Sequence, residues 1–458
     1  MSLSPGREAA YDAFVQVMEK KLSPDEALAQ YYAKKDIKRI DRNLAKEILF
    51  GGLRWYSKIL WILQKTATRD LGGTTPEIRA ALILGTYQIF YMDRVPDRAA
   101  VNESVEYIRK RQQANATAFV NGILRQIARR AEYFAKPNKQ THPGEYLALQ
   151  YAHPQWIVDR WLKQFHFNQL ENILAVNNTP PAFYVRLNTL KTPVEEMHLF
   201  QKEMLKNEKQ HSDKRPLRCS LKLSAFPDLS SESFFGRGYY TIQNEASQLI
   251  GLLVDPKEKE TIVDACCGVG GKLTHLAELS NDKANLIGLD KNAEQLQKCK
   301  ENLERLGIKK VETIEVDFMK WRADKKVDKL LLDAPCSGLG VLRQHPEGKW
   351  HKDNSIITKM AKVQTDFLEH ALRQIKVGGM LIYSVCSFEK NETEAHLKKL
   401  LEKYSEALEV VSPIAFLPDY YKRYVTRDNL LLIYSGNPDD LDGFGSFILR
   451  IKSELPAK

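Results

Sequence analysis

Over the first 130 or so residues apolar positions recur at three- and four-residue spacing, in Ala9–Met18, Leu44–Leu60, Ile78–Met92, Ala99–Ile108 and Phe119–Ile127. That period is the signature of helices burying one face, and no strand pair interrupts it, so residues 1–132 are expected to form an all-α domain. Pro24 and Gly72-Gly73-Thr-Thr-Pro76 supply the breaks. Residues 133–245 change character. A helical connector, with Pro154 opening Gln155–Phe165, leads to Phe183–Leu187 and Gly238–Ile242, two short strands around a polar, lysine-rich middle. A small α+β subdomain is expected there. From residue 261 short apolar runs alternate with helical segments. Thr261–Ala265, Asn285–Leu289, Val311–Val316, Val327–Asp333 and Met380–Val385 are the strands, separated by Leu273–Leu279, Ala293–Leu306 and Ile356–Ile375; Leu430–Tyr434 and Phe447–Ile451 follow. Alternation of this kind predicts a doubly wound, Rossmann-like parallel sheet over 246–458, with its ligand at the carboxyl ends of the strands.

Charge adds a second division. Residues 1–150 carry 24 Lys/Arg against 16 Asp/Glu, a net +8, whereas the remainder carries 44 against 42. Excess positive charge gathered in one segment suits a phosphate backbone or an anionic surface. No apolar run is long enough to span a membrane, and the first eight residues lack the apolar core of a secretory signal, so a cytoplasmic protein without a membrane partner is expected. The six cysteines (219, 266, 267, 299, 336, 386) form no Cys-x-x-Cys pair or Cys/His cluster, which argues against both a disulfide framework and a metal site.

Two thiols and a glycine-rich turn carry the chemistry. Val263-Asp-Ala-Cys-Cys-Gly-Val-Gly-Gly-Lys272 follows the first strand of the doubly wound region, and Gly268, Gly270 and Gly271 let its backbone bend sharply against a ligand. Leu273 stands where the nicotinamide fingerprint needs its third glycine, and the Walker pattern is absent. Acidic residues close the first three strands, Asp264, Asp290 and Asp317, a set suited to an adenosyl ligand without phosphates, namely S-adenosylmethionine. After the fourth strand comes Asp333-Ala-Pro-Cys-Ser-Gly338, and after the fifth Tyr383-Ser-Val-Cys-Ser387. Cysteines at two neighbouring strand ends beside a methyl donor point to pyrimidine C5 methylation. That carbon becomes nucleophilic only after a thiolate adds at C6. One nucleophile suffices, so spacing alone does not choose between Cys336 and Cys386.

The two cysteine motifs, with Arg343-Gln-His-Pro-Glu347, Trp350 and Gln364 between them, resemble the Nop/Sun family of RNA 5-methylcytosine methyltransferases. The resemblance implies that Cys386 is the nucleophile, that Cys336 assists product release and that Asp333 contacts the target base. It further implies that Asp264, Cys266, Cys267, Gly268, Gly270, Gly271, Lys272, Asp290, Asp317 and Asp333 surround S-adenosylmethionine. Arg186-Leu-Asn188 and Gln243-Asn-Glu-Ala-Ser247 resemble segments preceding the family's catalytic domain. Asp41-Arg-Asn-Leu-Ala-Lys-Glu-Ile-Leu-Phe-Gly-Gly-Leu-Arg54, Val101–Val105 and Phe119–Arg125 resemble the NusB-type helical RNA-binding domain. Within the family that fusion points to the RsmB type, which acts on bacterial small-subunit ribosomal RNA. A monomer binding ribosomal RNA is expected.

The sequence departs from the family pattern in three places. The usual Cys-Ala-Ala-Pro-Gly-Gly-Lys turn is Cys266-Cys-Gly-Val-Gly-Gly-Lys272; Val385 replaces a common threonine; and the segment from Cys386 to Asn391-Glu392 is about two residues short. These changes motivate the competing reading, a non-enzymatic RNA-binding assembly factor with a decayed catalytic domain. A DNA cytosine methyltransferase is the other alternative, but it would leave Cys386 and the NusB-like segment unexplained. A target cytosine must leave its helix for C6 to meet a thiol. Phosphate contacts are expected from Arg54, Arg94, Arg98, Arg109, Lys110, Arg111 and Arg125 and from the 180–240 segment, Arg54 being equally open to a structural role, with Arg343 and His345 reaching the target strand.

Overall fold

The computed structural model describes residues 3–67, 70–130, 136–193, 196, 199, 202, 217, 219–223, 229 and 233–456. The chain divides into two compact units, Met1–Pro180 with Leu342–Asn354, and Pro181–Val341 with Ser355–Lys458.

The first unit is helical. Its elements are α1 (Pro5–Lys20), α2 (Pro24–Tyr32), α3 (Arg39–Arg54), α4 (Tyr56–Thr66), α5 (Pro76–Tyr91), α6 (Asp97–Lys110) and α7 (Thr117–Arg130), then α8 (Pro143–Gln150), α9 (Gln155–Leu162) and α10 (Phe167–Asn177). The prolines that break the apolar pattern open helices: Pro24 and Pro76 occupy first-turn positions, and the Ser23 and Thr75 hydroxyls accept from the backbone N–H of Glu26 and Ile78. Helix α5 is buried on almost every side from Ile78 to Gln88 and forms the axis of the bundle. At Gly51 a Cβ would lie 1.9 Å from the Tyr87 ring, so the Gly-Gly pair of α3 marks a close helix crossing rather than a turn.

Leu342–Asn354 is part of this helical unit although it lies in sequence between the two cysteine motifs. Lys349 is 1% exposed, and its ammonium donates to the carbonyls of Arg54 (2.9 Å) and Ala152 (3.1 Å) and to Asn178 Oδ1 (2.7 Å). Burial, with the Arg54 charge beside it, holds its pKa well below the ordinary lysine range. Trp350 donates to the Leu53 carbonyl, and His351 bonds the Val17 carbonyl.

The second unit carries two sheets. Strands β1 (Phe183–Leu187), β2 (Ser220–Leu223) and β3 (Tyr240–Ile242) form a small antiparallel sheet in the order β2-β1-β3. After α11 (Glu245–Val254) come β4 (Thr261–Asp264), α12 (Gly271–Leu279), β5 (Asn285–Asp290), α13 (Ala293–Leu306), β6 (Val311–Glu315) and β7 (Val327–Asp333). The chain continues through α14 (Ser355–Gln374), β8 (Ile375–Val385), α15 (Glu394–Lys403), β9 (Leu408–Val411), β10 (Leu431–Ile433) and β11 (Phe444–Ile451).

The large sheet has the order β10-β11-β8-β7-β4-β5-β6, with β9 also on β11; β4 to β8 run parallel, and β11 returns antiparallel to β8. Successive residues of β7 face opposite layers. Leu331 joins the core with α11, α12 and α13, while Leu330 and Leu332 join the core with α14 and α15. The strand order reverses between β4 and β7, which places the crevice at Asp264 and Asp333.

The helical first part, the α+β insert and the doubly wound sheet all match the sequence reading. Two strands were not anticipated, β2 and β9, each four residues long and too short to declare a period. Strand β8 begins at Ile375 rather than Met380, because Ile375 pairs with Val327 and the stretch Lys376-Val-Gly-Gly379 bulges before pairing resumes at Met380 opposite Lys329.

Candidate active site: two thiols at neighbouring strand ends

Strands β7 and β8 pair in parallel with Asp333 opposite Ser384, so the loops leaving them lie side by side. Cys336 Sγ and Cys386 Sγ are 3.0 Å apart, and both residues are partly exposed. The Cys336 thiol is pushed well above its ordinary pKa, first by the hydrogen bond to Cys386 and then by burial. The two sulfurs share one S–H···S contact in which either thiol can be the donor. The loops are tied further by Gly340 N–H donating to the Cys386 carbonyl at 3.1 Å.

Asp333, at the end of β7, forms an ion pair with Lys272 (2.5 Å) and accepts from the Ser384 hydroxyl (2.6 Å). Asp264 ends β4 and is 1% exposed, and among the described residues neither carboxylate oxygen receives a hydrogen bond of normal geometry. Burial, then the charge of Asp333, raises its pKa to about 7, with Lys272 and the Cys266 backbone pulling the other way. A buried carboxylate left without a donor fits a ligand that brings positive charge, as a sulfonium and an ammonium group do.

Between them runs the glycine turn. Gly270 caps α12 at φ +84° with Cys299 Sγ behind it, 2.6 Å from where a Cβ would stand, so only glycine fits both the conformation and the space. Gly268 (φ +54°) donates its N–H to Asp290 Oδ2 at 2.9 Å, which ties the turn to the end of β5. The extra glycine of this sequence thus gains a tether that the departure from the family pattern did not suggest. Asp290 Oδ1 accepts from Asn292 N–H, and Asp317, two residues beyond β6, accepts from Met319 N–H. Cys266 is partly exposed and its thiol is raised by burial; the Cys267 thiol packs against Cys299 inside the core. Gly271 begins α12, and its carbonyl accepts from Arg186.

Arg186, to which sequence alone assigns no role, braces the arrangement from β1. Fully buried in β1, it donates to both oxygens of Glu278 (2.8 Å each), to Thr274 Oγ1 (2.9 Å), to the Gly271 carbonyl (2.8 Å) and to Gln243. Thr274 in turn donates to the Gly270 carbonyl. The guanidinium therefore fixes the first two turns of the helix that opens the glycine turn.

Of the cations expected to face phosphate, Arg94, Arg98 and Arg125 are exposed. Lys110 and Arg111 pair with Glu8 and Asp12, and Arg109 pairs with Glu106. Arg54 is buried, and so is Arg343, which donates twice to the Pro180 carbonyl; burial takes both off the list of exposed cations. Most of the lysine-rich stretch within 180–240 lies outside the described residues.

Three family descriptions match the chain: "NusB family" over residues 4–129, "Methyltr_RsmF/B-like, ferredoxin-like domain" over 153–219, and "16S rRNA methyltransferase RsmB/F" over 251–428. A protein of Serratia proteamaculans (strain 568), "Ribosomal RNA small subunit methyltransferase B", is 30% identical over 413 residues, 90% of either chain. The chain belongs to this methyltransferase family. The "Probable ribosomal RNA small subunit methyltransferase B" of Bacillus subtilis (strain 168) is 28% identical over 97% of this chain and 98% of its own. Among solved structures, PH0851 superposes with a TM-score of 0.81 at 24% identity, covering 98% of this chain and 99% of its own. NSun6 from Pyrococcus horikoshii, solved with SFG, gives 0.59 at 22% identity over 66% of this chain and all of its own. Both likenesses establish the fold. The family's three-part arrangement accounts for the α+β insert and for the helical unit that precedes it.

Proposed function

We propose that this chain transfers a methyl group from S-adenosylmethionine to C5 of a cytosine in small-subunit ribosomal RNA, through a covalent bond between Cys386 and C6. The observation that carries the reading is the pair of thiols 3.0 Å apart at the ends of β7 and β8, on the crevice where Asp264, Asp333 and Lys272 converge. The protein is a ribosomal RNA methyltransferase by family, and its cofactor is S-adenosylmethionine.

The division of labour between the two thiols follows the family resemblance. The resemblance to the Nop/Sun family makes Cys386 the sulfur that adds to C6, with Cys336 in contact with it at 3.0 Å. When bound, the cofactor supplies an electrophilic sulfonium methyl. Asp264, Gly268, Gly270, Gly271, Lys272, Asp290 and Asp317 would hold it, with Cys266 and Cys267 shaping the turn. Asp333, held by Lys272 and Ser384, would contact the target base. After methyl transfer the C5 proton passes to water, the C5–H electron pair re-forms the C5=C6 double bond, and Cys386 leaves as a thiolate, a release that Cys336 assists.

Three parts serve these steps: residues 1–132 hold RNA through a basic surface, 133–245 support the glycine turn, and 246–458 catalyse. A monomer working in the cytoplasm, away from any membrane, suits a ribosomal RNA substrate. Among the described residues no helix is long and apolar enough to cross a membrane. The reading as a non-catalytic assembly factor is disfavoured, because the altered glycine turn is braced by Asp290 and both thiols are in reach of each other. Bisulfite mapping of ribosomal RNA from cells with and without the protein tests the proposal. One 5-methylcytosine lost from the small-subunit RNA is expected, and unchanged maps would refute it.

A further inference from the structure

Beneath the two thiols lies a carboxylate to which the reaction assigns no part. Glu392 is fully buried, and among the described residues no lysine or arginine pairs with it. Its four acceptor positions are taken by neutral donors. Oε1 accepts from the Ser337 backbone N–H (2.8 Å) and Gln364 Nε2 (2.9 Å); Oε2 accepts from the hydroxyls of Ser337 (2.5 Å) and Ser387 (2.6 Å). Ser337 directly follows Cys336, and Ser387 directly follows Cys386. One carboxylate therefore grips the residue next to each thiol.

The grip is itself fixed on its far side. Gln364 also donates to the Pro335 carbonyl, one residue before Cys336, and its Oε1 is bonded by His396 Nε2 at 3.0 Å. Burial lowers the His396 pKa to about 4, so the ring is neutral near pH 7 and donates through Nε2–H. The Glu392 carbonyl accepts from Tyr383 of β8, and its N–H donates to the Glu389 carbonyl. The segment after Cys386, shorter than the family pattern by about two residues, closes through a turn at Lys390–Glu392 that delivers the carboxylate beneath both loops.

A buried, unpaired carboxylate is costly, and apolar packing would hold two loops together at lower cost. What apolar packing would not supply is direction. Four short hydrogen bonds from one rigid group fix the separation and aim of the residues they touch. We propose that Glu392 is the positioning residue of the thiol pair, setting the Cys336–Cys386 separation and the approach of Cys386 to the pyrimidine. The proposal rests on the reading of these two cysteines as the reacting pair.

Two measurements separate the geometry from the reaction. Diamide takes two electrons and two protons from a pair of adjacent thiols, forming the S–S bond while its own N=N bond becomes a hydrazine. Peptide mass spectrometry of the Cys336–Cys386 cross-link then reads their approach without any methyl transfer. Glu392→Ala is expected to slow this capture at least ~10-fold and to lower kcat ~100-fold, with KM for S-adenosylmethionine within about twofold, since an ångström of misplacement costs that much. Glu392→Gln keeps acceptors for Ser337 N–H and Gln364 and offers an amide to both serine oxygens, so capture should return to within about threefold of wild type. Should Glu392→Ala not fold, Ser337→Ala and Ser387→Ala each remove one tether and are expected to slow capture about threefold or more. Capture at the wild-type rate in these variants overturns the proposal. Slowed capture with unchanged kcat overturns instead the assignment of the two cysteines on which it rests.

Discussion

Cys336 and Cys386 stand fifty residues apart in sequence and 3.0 Å apart at sulfur, because the strands that precede them are hydrogen-bonded neighbours. In the proposed reaction Cys386 is the nucleophile and Cys336 assists release. Cys386→Ala should therefore abolish methyl transfer, a loss of at least ~10⁴-fold in kcat for removal of a nucleophile. Cys336→Ala should instead accumulate a protein–RNA adduct, seen as a band that survives denaturing electrophoresis. Full activity of Cys386→Ala, or an adduct in that variant, would reverse the roles.

Asp264 links folding stability to pH. Its native pKa of about 7 lies above the ordinary value of 3.8, so between those values the folded protein binds more protons than the unfolded chain. Stability of the catalytic unit should be greatest below pH 4 as far as this group is concerned, and should be lost as pH rises toward 7. At 1.36 kcal/mol per unit, wild type should lose about 3 kcal/mol relative to Asp264→Asn between pH 5 and pH 8. Urea unfolding at four pH values checks this, and parallel curves for the two proteins would remove Asp264 as the cause.

Arg186 is the buried cation whose removal leaves Glu278 uncompensated. Glu278 already feels burial raising its pKa, with Arg186 the opposing influence. Arg186→Ala should cost about 3–5 kcal/mol. Arg186→Lys should recover only part of that, because one ammonium cannot reach Glu278, Thr274 and the Gly271 carbonyl together. Cofactor affinity by calorimetry should weaken about tenfold in the lysine variant as the glycine turn loosens.

Gly51→Ala tests the crossing of α3 and α5. The added methyl meets the Tyr87 ring at 1.9 Å, and Tyr87 is itself held by a hydrogen bond to Glu47. A loss of about 1–3 kcal/mol from the helical unit is expected, as for overpacking elsewhere. Activity on a short unstructured RNA should be retained, while binding to ribosomal RNA weakens. Unchanged melting would mean that the helices separate freely.

Much of the fold was legible because its cause is periodic. A face that must be buried repeats every three to four residues in a helix and every two in a half-buried strand, and both repeats are visible without coordinates. Strands β2 and β9 escaped because four residues hold too few repeats, and Lys222 breaks the apolar run of β2. The candidate site was legible where chemistry is local: a glycine turn, acids at strand ends, a thiol in each of two loops. Arg54 and Arg343 show the limit of that reading. As charged residues they suggested phosphate, yet both lie buried against carbonyl oxygens, and nothing in their sequence neighbourhood distinguishes a solvated guanidinium from a buried one.

The sequence by itself determined the element types, the α-then-α/β order, the cofactor class and the presence of a thiol after each of two strands, since each depends on residues close together in the chain. The tertiary structure decided which elements are neighbours. Only pairing of β7 with β8 brings the thiols into contact, and only the turn at Lys390–Glu392 sets one carboxylate under both loops. Likewise only packing returns Leu342–Asn354 to the helical unit, where Lys349 finds three oxygen acceptors. These contacts join residues tens to hundreds of positions apart. Their energy depends on distance and desolvation in space, which no local pattern along a chain records.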